Sequence, residues 1–419
     1  MVAPLVVFCV TYLVIASRQL AVLKLDRPAG ALTGAVAMVA VGGLSAAQAY
    51  AAIDLGVITL LLGVLLIAAY LEEARFFRLC AWLVVTRARS ARQLVWGLTF
   101  VAGALSALLV NDTVCIVLTP LVVRVAIEAR LPPLPYLLAL ASATNLGGVV
   151  AFSGNPQNMI VGAAAAGHPG FAAYLAVSVL PGALCLAANA AALSWLFRAE
   201  LPTGPLDDRD APRPGFDRAL AIKGLIALAL FAGLAAAGVA LPGAAVFAAV
   251  ALIVAARVPP GRAFDHVDWS LLLFFAGLFV VVEGLAHTGA LDRLFAQVAP
   301  LIGRGDAAGD AAFVGLTVVA SNLVSNVPAV LVARHWVPHM PDPTWGWIML
   351  AWASTLAGNL TLFGSVANII VMESAGPRGE IGFWRFLRYG VVLTALSLAI
   401  GFGVLALERA LGLFALLGL

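Results

Sequence analysis

Residues Asn145 to Asn158 read Asn-Leu-Gly-Gly-Val-Val-Ala-Phe-Ser-Gly-Asn-Pro-Gln-Asn, a run of amides, glycines and a proline inside sequence apolar enough for the interior of a bilayer. An unsatisfied backbone N–H or C=O in hydrocarbon costs several kcal/mol, so irregular backbone survives at that depth only where it is buried in protein or lines a cavity. A second segment of the same kind, Ala353 to Val371, aligns on the first without gaps at a shift of 210. Ala143, Leu146, Gly148, Gly154, Asn158, Ile160 and Val161 fall on Ala353, Leu356, Gly358, Gly364, Asn368, Ile370 and Val371. Paired interrupted segments at matching places in two halves point to a substrate site near the middle of a membrane.

Composition fixes the setting. Of 419 residues, 63% are apolar and 11% charged, with a mean hydropathy of +1.04, more apolar surface than a water-soluble fold of this length can cover. Cys9, Cys80, Cys115 and Cys185 stand singly, without the spacing of a zinc or redox site. The net charge of +3 is small and most arginines fall between apolar runs, where they report orientation rather than a nucleic-acid partner. No positive region or small-residue cleavage site frames the first apolar run, so it reads as a first span rather than a removed signal.

The positive-inside rule places Arg18, Lys24 and Arg27, then Arg75, Arg78, Arg87, Arg89 and Arg92, in the cytoplasm. The expected organisation is a first transmembrane helix and loop over 1–28, a first repeat over 29–199, a cytoplasmic linker over 200–223 and a second repeat over 224–419. Asp54 to Gly63 and Asp268 to Gly277 share a spacing but run in opposite directions on this count, the signature of inverted-topology repeats. Val95 to Ile127 reads as a broken span carrying Asn111, which puts Pro132 outside. The Asn145 and Ala353 segments then read as re-entrant hairpins entering from opposite faces.

Asn111, Asp112 and Thr113 interrupt an apolar run, and an aspartate in mid-span is by default a functional residue. It reads as a cation ligand for Na⁺, as an acceptor for H⁺, or as a carboxylate capping a broken helix. Thr144, Asn145, Ser153, Asn155, Gln157 and Asn158 in one half, and Ser354, Thr355, Asn359, Thr361, Ser365 and Asn368 in the other, carry hydroxyls and amides but no charge. Helix N-termini there suit an anion and freed carbonyls a cation, while the same side chains also glue helices together. Cys115, one turn past Asn111, reads either as a soft ligand or as packing. Glu283 stays open between a buried partner and an interface residue, and His168 and His287 read as interfacial. Neither a His-Glu-x-x-His nor a Gly-x-Ser-x-Gly motif is present, which argues against an intramembrane enzyme.

Taken together, Asn111-Asp-Thr-Val-Cys-Ile-Val-Leu-Thr-Pro120, Gly154-Asn-Pro-Gln-Asn158, Ser321-Asn-Leu-Val-Ser-Asn-Val-Pro328 and Leu356 to Asn368 resemble the ion-transporter superfamily. That superfamily holds arsenite permeases, sodium/proton antiporters and divalent-anion sodium symporters, and the resemblance is to the arsenite-permease and anion-permease branch. It implies an all-α polytopic membrane protein of two inverted-topology repeats, each with a re-entrant hairpin and a broken transmembrane helix. It also implies a homodimer, elevator-like transport across the cytoplasmic (inner) membrane of a prokaryote and, for an arsenite pump, a cytoplasmic ATPase subunit as partner. The expected function is efflux of a small oxyanion or oxyacid of the arsenite or antimonite type. Sodium-coupled uptake of a dicarboxylate or sulfate-like anion and sodium/proton exchange stand as alternatives. No cofactor is expected beyond a coupling Na⁺ or H⁺. Carried over by motif, the binding residues are Asn111, Asp112, Thr113, Asn145, Gly154, Asn155 and Asn158, then Ser321, Asn322, Ser325, Asn326, Gly364, Ser365 and Asn368. Na⁺ would fall at Asn111, Asp112, Ser321 and Asn326. Where dicarboxylate symporters resemble Ser-Asn-Thr, this chain has Gly-Asn-Pro at 154 to 156 and Gly-Ser-Val at 364 to 366.

Overall fold

A computed structural model describes residues 2–16, 26–165, 167–204, 213–379 and 381–419; Arg18, Lys24 and part of the expected linker lie outside them. Among the described residues all regular structure is helical, as a bilayer demands of an open chain, and seven helices are long and apolar enough to cross it. The helices start where the sequence supplies a cap. Asp54 accepts from Val57 N and Asp268 from Leu271 N, while Ser90 accepts from Gln93 N.

Two bodies form. One is a scaffold in which the halves exchange partners: Arg27–Ala40 packs on Trp269–Ala286, and Leu55–Glu73 packs on Leu241–Ala256. Gly63 lies against Ala245 and Gly277 against Ala31, so closely that a Cβ on either glycine would overlap the facing backbone. The two contacts are the same contact moved by 214 residues, which is what an approximate two-fold between halves produces. The second body holds the polar segments and is built from Ala91–Leu108, Asn111–Glu128, Leu134–Gly148, Pro156–Ala164 and Phe171–Leu196. Its other half is Ala307–Val324, Asn326–Ala333, Pro343–Ala357, Val366–Ser374 and Phe383–Ala410.

Each half does contain one re-entrant hairpin and one broken crossing helix, but the structure reverses which is which. Tyr136, near the start of Leu134–Gly148, donates from Oη to Ala91 O at 3.4 Å, so the helices starting at 91 and 134 start on the same face. Leu94, Val122, Val125 and Tyr136 line one apolar cavity, which brings the far end of Asn111–Glu128 back to that face as well. Trp345 Nε1 donates to Asp310 Oδ2 at 2.8 Å and makes the equivalent join at the other end of the molecule. The hairpins are therefore 91–128 and 307–333, turning at Leu109–Val110 and at Ser325. The segments around Asn145 and Ala353 are crossing helices with a break. Length gives the physical reason. Two helices of 18 residues each laid end to end would span roughly 54 Å, against a hydrocarbon core of about 30 Å. In contrast, 15 residues followed by 9 fit one crossing, and both halves use those two lengths. Pro132 consequently lies on the face of Ser90, not opposite it. Arg334 lies beside Asp54 at the opposite face.

Candidate functional site

The break in the first crossing helix follows from its residues. Pro156 has no N–H and opens the second segment at its first turn, where its ring is tolerated. Asn155 caps that segment by accepting from Asn158 N at 2.8 Å. Gly154 sits so close to the Gly148 backbone that a Cβ there would meet the Gly148 carbonyl. The carbonyls freed by the break are taken up by Asn158, whose Nδ2 donates to Gly148 O at 3.1 Å and Val149 O at 3.3 Å. In the second crossing helix Ser365 is the cap, accepting from Ala367 N at 3.2 Å. There Asn368 Nδ2 donates to Gly358 O at 2.7 Å and Thr361 O at 3.0 Å, the same device 210 residues on. These two amides hold the breaks in shape, and their nitrogens are committed to backbone.

The two breaks cross. Asn155 Nδ2 donates to Thr355 Oγ1 at 3.2 Å, and Ser365 Oγ donates to Asn145 Oδ1 at 3.0 Å; each bond is the other moved by 210. Thr355 Oγ1 also donates to Asn158 Oδ1 at 3.2 Å and accepts from Gln157 Nε2 at 3.3 Å. Asn145 Nδ2 donates to Asn359 Oδ1 at 2.8 Å. Asn145 and Thr355 are thus the hubs, both fully buried. Thr355, Asn359 and Gln157 belong to the polar sets of the two segments but not to the residues carried over by motif. The 210-residue shift would have found Thr355, since it lands on Asn145.

Each hairpin tip closes on one break. Asn111 N donates to Gly154 O at 3.0 Å and Asn111 Nδ2 to Asn145 Oδ1 at 3.2 Å, while Ser106 Oγ donates to Thr144 O at 2.5 Å. On the other tip Asn322 Nδ2 donates to Ala357 O at 3.1 Å, and Thr361 Oγ1 donates to Asn322 Oδ1 at 2.8 Å. Asn326, with its amide nitrogen turned inward, donates to Ser354 O and Gly364 O, both at 2.9 Å. A Cβ on Gly364 would press on Asn322 Oδ1. Ser325 makes the turn at φ +74° and ψ 159°, a conformation nearly confined to glycine, and one that costs about 1–3 kcal/mol.

Two buried groups at the tips have no protein partner: Asn111 Oδ1, an acceptor, and Ser321 Oγ. A buried polar group left without a protein partner calls for a ligand, an ion or a water. Thr113 is half-buried and outside the mesh. Asp112 is 8% exposed, but its carboxylate joins none of these bonds. The charges acting on it are Arg27 and Asp268, both on the scaffold pair, and Arg27 Nε is itself buried without a partner. Arg27, read from sequence as a marker of orientation, is therefore a residue the sequence reasoning missed. The four residues expected to hold Na⁺ divide between two tips, Asn111 and Asp112 on one and Ser321 and Asn326 on the other. Among the described residues no three His, Cys, Asp or Glu side chains gather as a metal site. Cys115 is buried with its Sγ 3.2 Å from Thr144 Oγ1. Glu283 pairs with His287 at 3.4 Å at the scaffold end.

The crossing is unevenly covered. Residues 149 to 158 are all buried, whereas 360 to 362 are half-buried and Phe363 is 44% exposed, stacked on Phe383 with centroids 6.0 Å apart. The second break is thus less covered than the first.

Known proteins share this fold or this sequence pattern. The fold is shared with the solved YdaH transporter of Alcanivorax borkumensis, at a TM-score of 0.58 and 18% identity over 89% of this chain and 88% of that one. The silicon efflux transporter LSI3 of Oryza sativa subsp. japonica is 31% identical over 90% of this chain and 92% of its own. A 46 kDa membrane protein of Mycobacterium leprae is 30% identical over 95% and 96%. The family model described as citrate transporter, CitMHS, matches residues 12–357, and this chain belongs to that family of multi-pass membrane transporters.

Proposed function

We propose that this chain is a secondary carrier that exports a small hydroxylated oxyacid, uncharged at neutral pH, across the cytoplasmic membrane. Arsenous and antimonous acids fit the class, as does the orthosilicic acid suggested by the name of the LSI3 relative. The observation that carries this reading is the charge of the site. Residues 134–164 and 343–374 contain no Lys, Arg or His, and the unpartnered groups at the two hairpin tips are an amide oxygen and a hydroxyl. A neutral acid with several OH groups donates to Asn111 Oδ1 and exchanges a hydrogen bond with Ser321 Oγ. Citrate, as the family description suggests, carries three negative charges at neutral pH. Helix N-termini offer roughly half an elementary charge each, which leaves a trianion uncompensated unless cations bind with it.

In this reading the hairpin body moves against the scaffold to alternate access, and Asp112, outside the mesh, responds to the driving H⁺ or Na⁺. Thermal unfolding of the purified protein tests the ligand class. A ligand present at a hundred times its Kd adds about 2.7 kcal/mol to the folded state. Arsenite and silicic acid are expected to raise the transition, and Ser321→Ala to weaken that shift. Stabilisation by citrate in a Na⁺-dependent manner, with no effect of either neutral acid, would replace this reading by a sodium-coupled anion symporter.

A further inference from the structure

The two halves match closely in backbone but differ in charge at the seam between the bodies. Asp54 and Asp268 are equivalent N-caps of the two central scaffold helices, each using one carboxylate oxygen, Oδ1, to accept from the backbone. Around Asp268 that same oxygen also accepts from Ser270 Oγ at 2.5 Å. At Asp54 the second oxygen, Oδ2, lies 3.6 Å from Nη1 of Arg334, which ends the return arm of the second hairpin. The pair is partly shielded, the side chains being 20% and 32% exposed. The guanidinium also sits 5.7 Å from the Phe279 ring of the scaffold, and Glu283 adds to the negative field on it. In the first hairpin the position 215 residues earlier is Thr119, buried and donating to Cys115 O at 2.6 Å, with no charge to offer Asp268.

We infer that Arg334 and Asp54 form a one-sided catch between the moving hairpin body and the scaffold, which biases the carrier toward the conformation in which the two are paired. The geometry separates capping from catching. One oxygen of Asp54 starts the scaffold helix while the other reaches across the seam, so the ion pair can break without unwinding either helix. Phe279 provides an apolar wall on which the planar guanidinium rests, a contact that strengthens as water is excluded. At the opposite seam Arg27 and Asp112 act on one another, but among the described residues they form no ion pair within 4 Å, so the close contact at Arg334 is one-sided. The asymmetry of charge therefore becomes an asymmetry of population.

This inference rests on the carrier reading, and its test is made without substrate so that the two fail separately. Spin labels at Tyr50 and His339, both exposed, one on the scaffold side and one beyond the second hairpin, report the distance across the seam by double electron–electron resonance. Asp54→Asn keeps the capping oxygen and removes the charge; Arg334→Gln removes the other partner. Each is expected to raise the population of a second distance roughly fivefold or more relative to the first. The double variant is expected to match the singles rather than exceed them, since the interaction can be lost only once. A thermal unfolding scan of each variant separates misfolding from redistribution. Unchanged distance distributions in folded single variants, or effects that simply add in the double variant, would overturn the catch.

Discussion

Asn145→Ala is expected to abolish transport and to lower stability by at least about 3 kcal/mol, the effect of leaving several buried polar groups unpaired. Asn145 Oδ1 accepts from Asn111 Nδ2 and Ser365 Oγ, and its Nδ2 donates to Asn359 Oδ1. It thereby joins the first hairpin tip, its own broken helix and the break of the other half. Removing it leaves an amide and a hydroxyl without acceptors and an oxygen without a donor, in a place with no room for bulk water. Asn145→Asp keeps the acceptor but removes the donor and introduces a charge, so it is expected to fail as well. Thermal unfolding in detergent, read beside flux, checks both, and an alanine variant within about 1 kcal/mol of the parent would show that the mesh is not cooperative.

Gly147→Ala is expected to prevent formation of the native hairpin body. Gly147, in the first crossing helix, faces Gly103 of the hairpin's entering arm, and a Cβ on Gly147 would coincide with the Gly103 carbonyl and Cα. No flexible side chain is present to move aside, so the helices must part, at a cost of about 3 kcal/mol or more. Gly315→Ala supplies the control, because a Cβ at that helical position meets nothing within 4 Å. Replacing a helical glycine in open space should stabilise by about 1 kcal/mol. Fluorescence-detected size exclusion should show an aggregated Gly147 variant and a monodisperse Gly315 variant.

The repeats and the two polar breaks were legible because both are written in local residue type. Asn145 to Asn158 puts Gly, Asn and Pro where no continuous helix can run, and the 210-residue shift pairs it with Ala353 to Val371. The identity of the re-entrant element was not legible from charge. Whether 91–128 crosses and 134–165 returns, or the reverse, the chain reaches residue 165 on the same face. The positive-inside rule depends on that parity and is blind to the order. Helix length could have decided it, since two stretches of 18 residues are too long for one crossing. Side-chain direction at Asp112 was hidden for another reason. Its neighbour Asn111 enters the mesh, while Asp112 is subject to charges on the scaffold, and only tertiary packing decides between adjacent positions at a helix start. Ser325 gave no warning of a positive φ, because serine is an ordinary residue everywhere else.

The most direct test of the account is counterflow into proteoliposomes holding the purified protein, with arsenite, silicic acid and citrate each offered under an imposed proton gradient, an imposed Na⁺ gradient, or none. Saturable, gradient-driven movement of the neutral acids is expected, with citrate excluded. Asp112→Asn should uncouple that movement from the gradient while leaving downhill exchange intact. Gradient-driven citrate flux with no movement of either neutral acid, or wild-type coupling in Asp112→Asn, would contradict it.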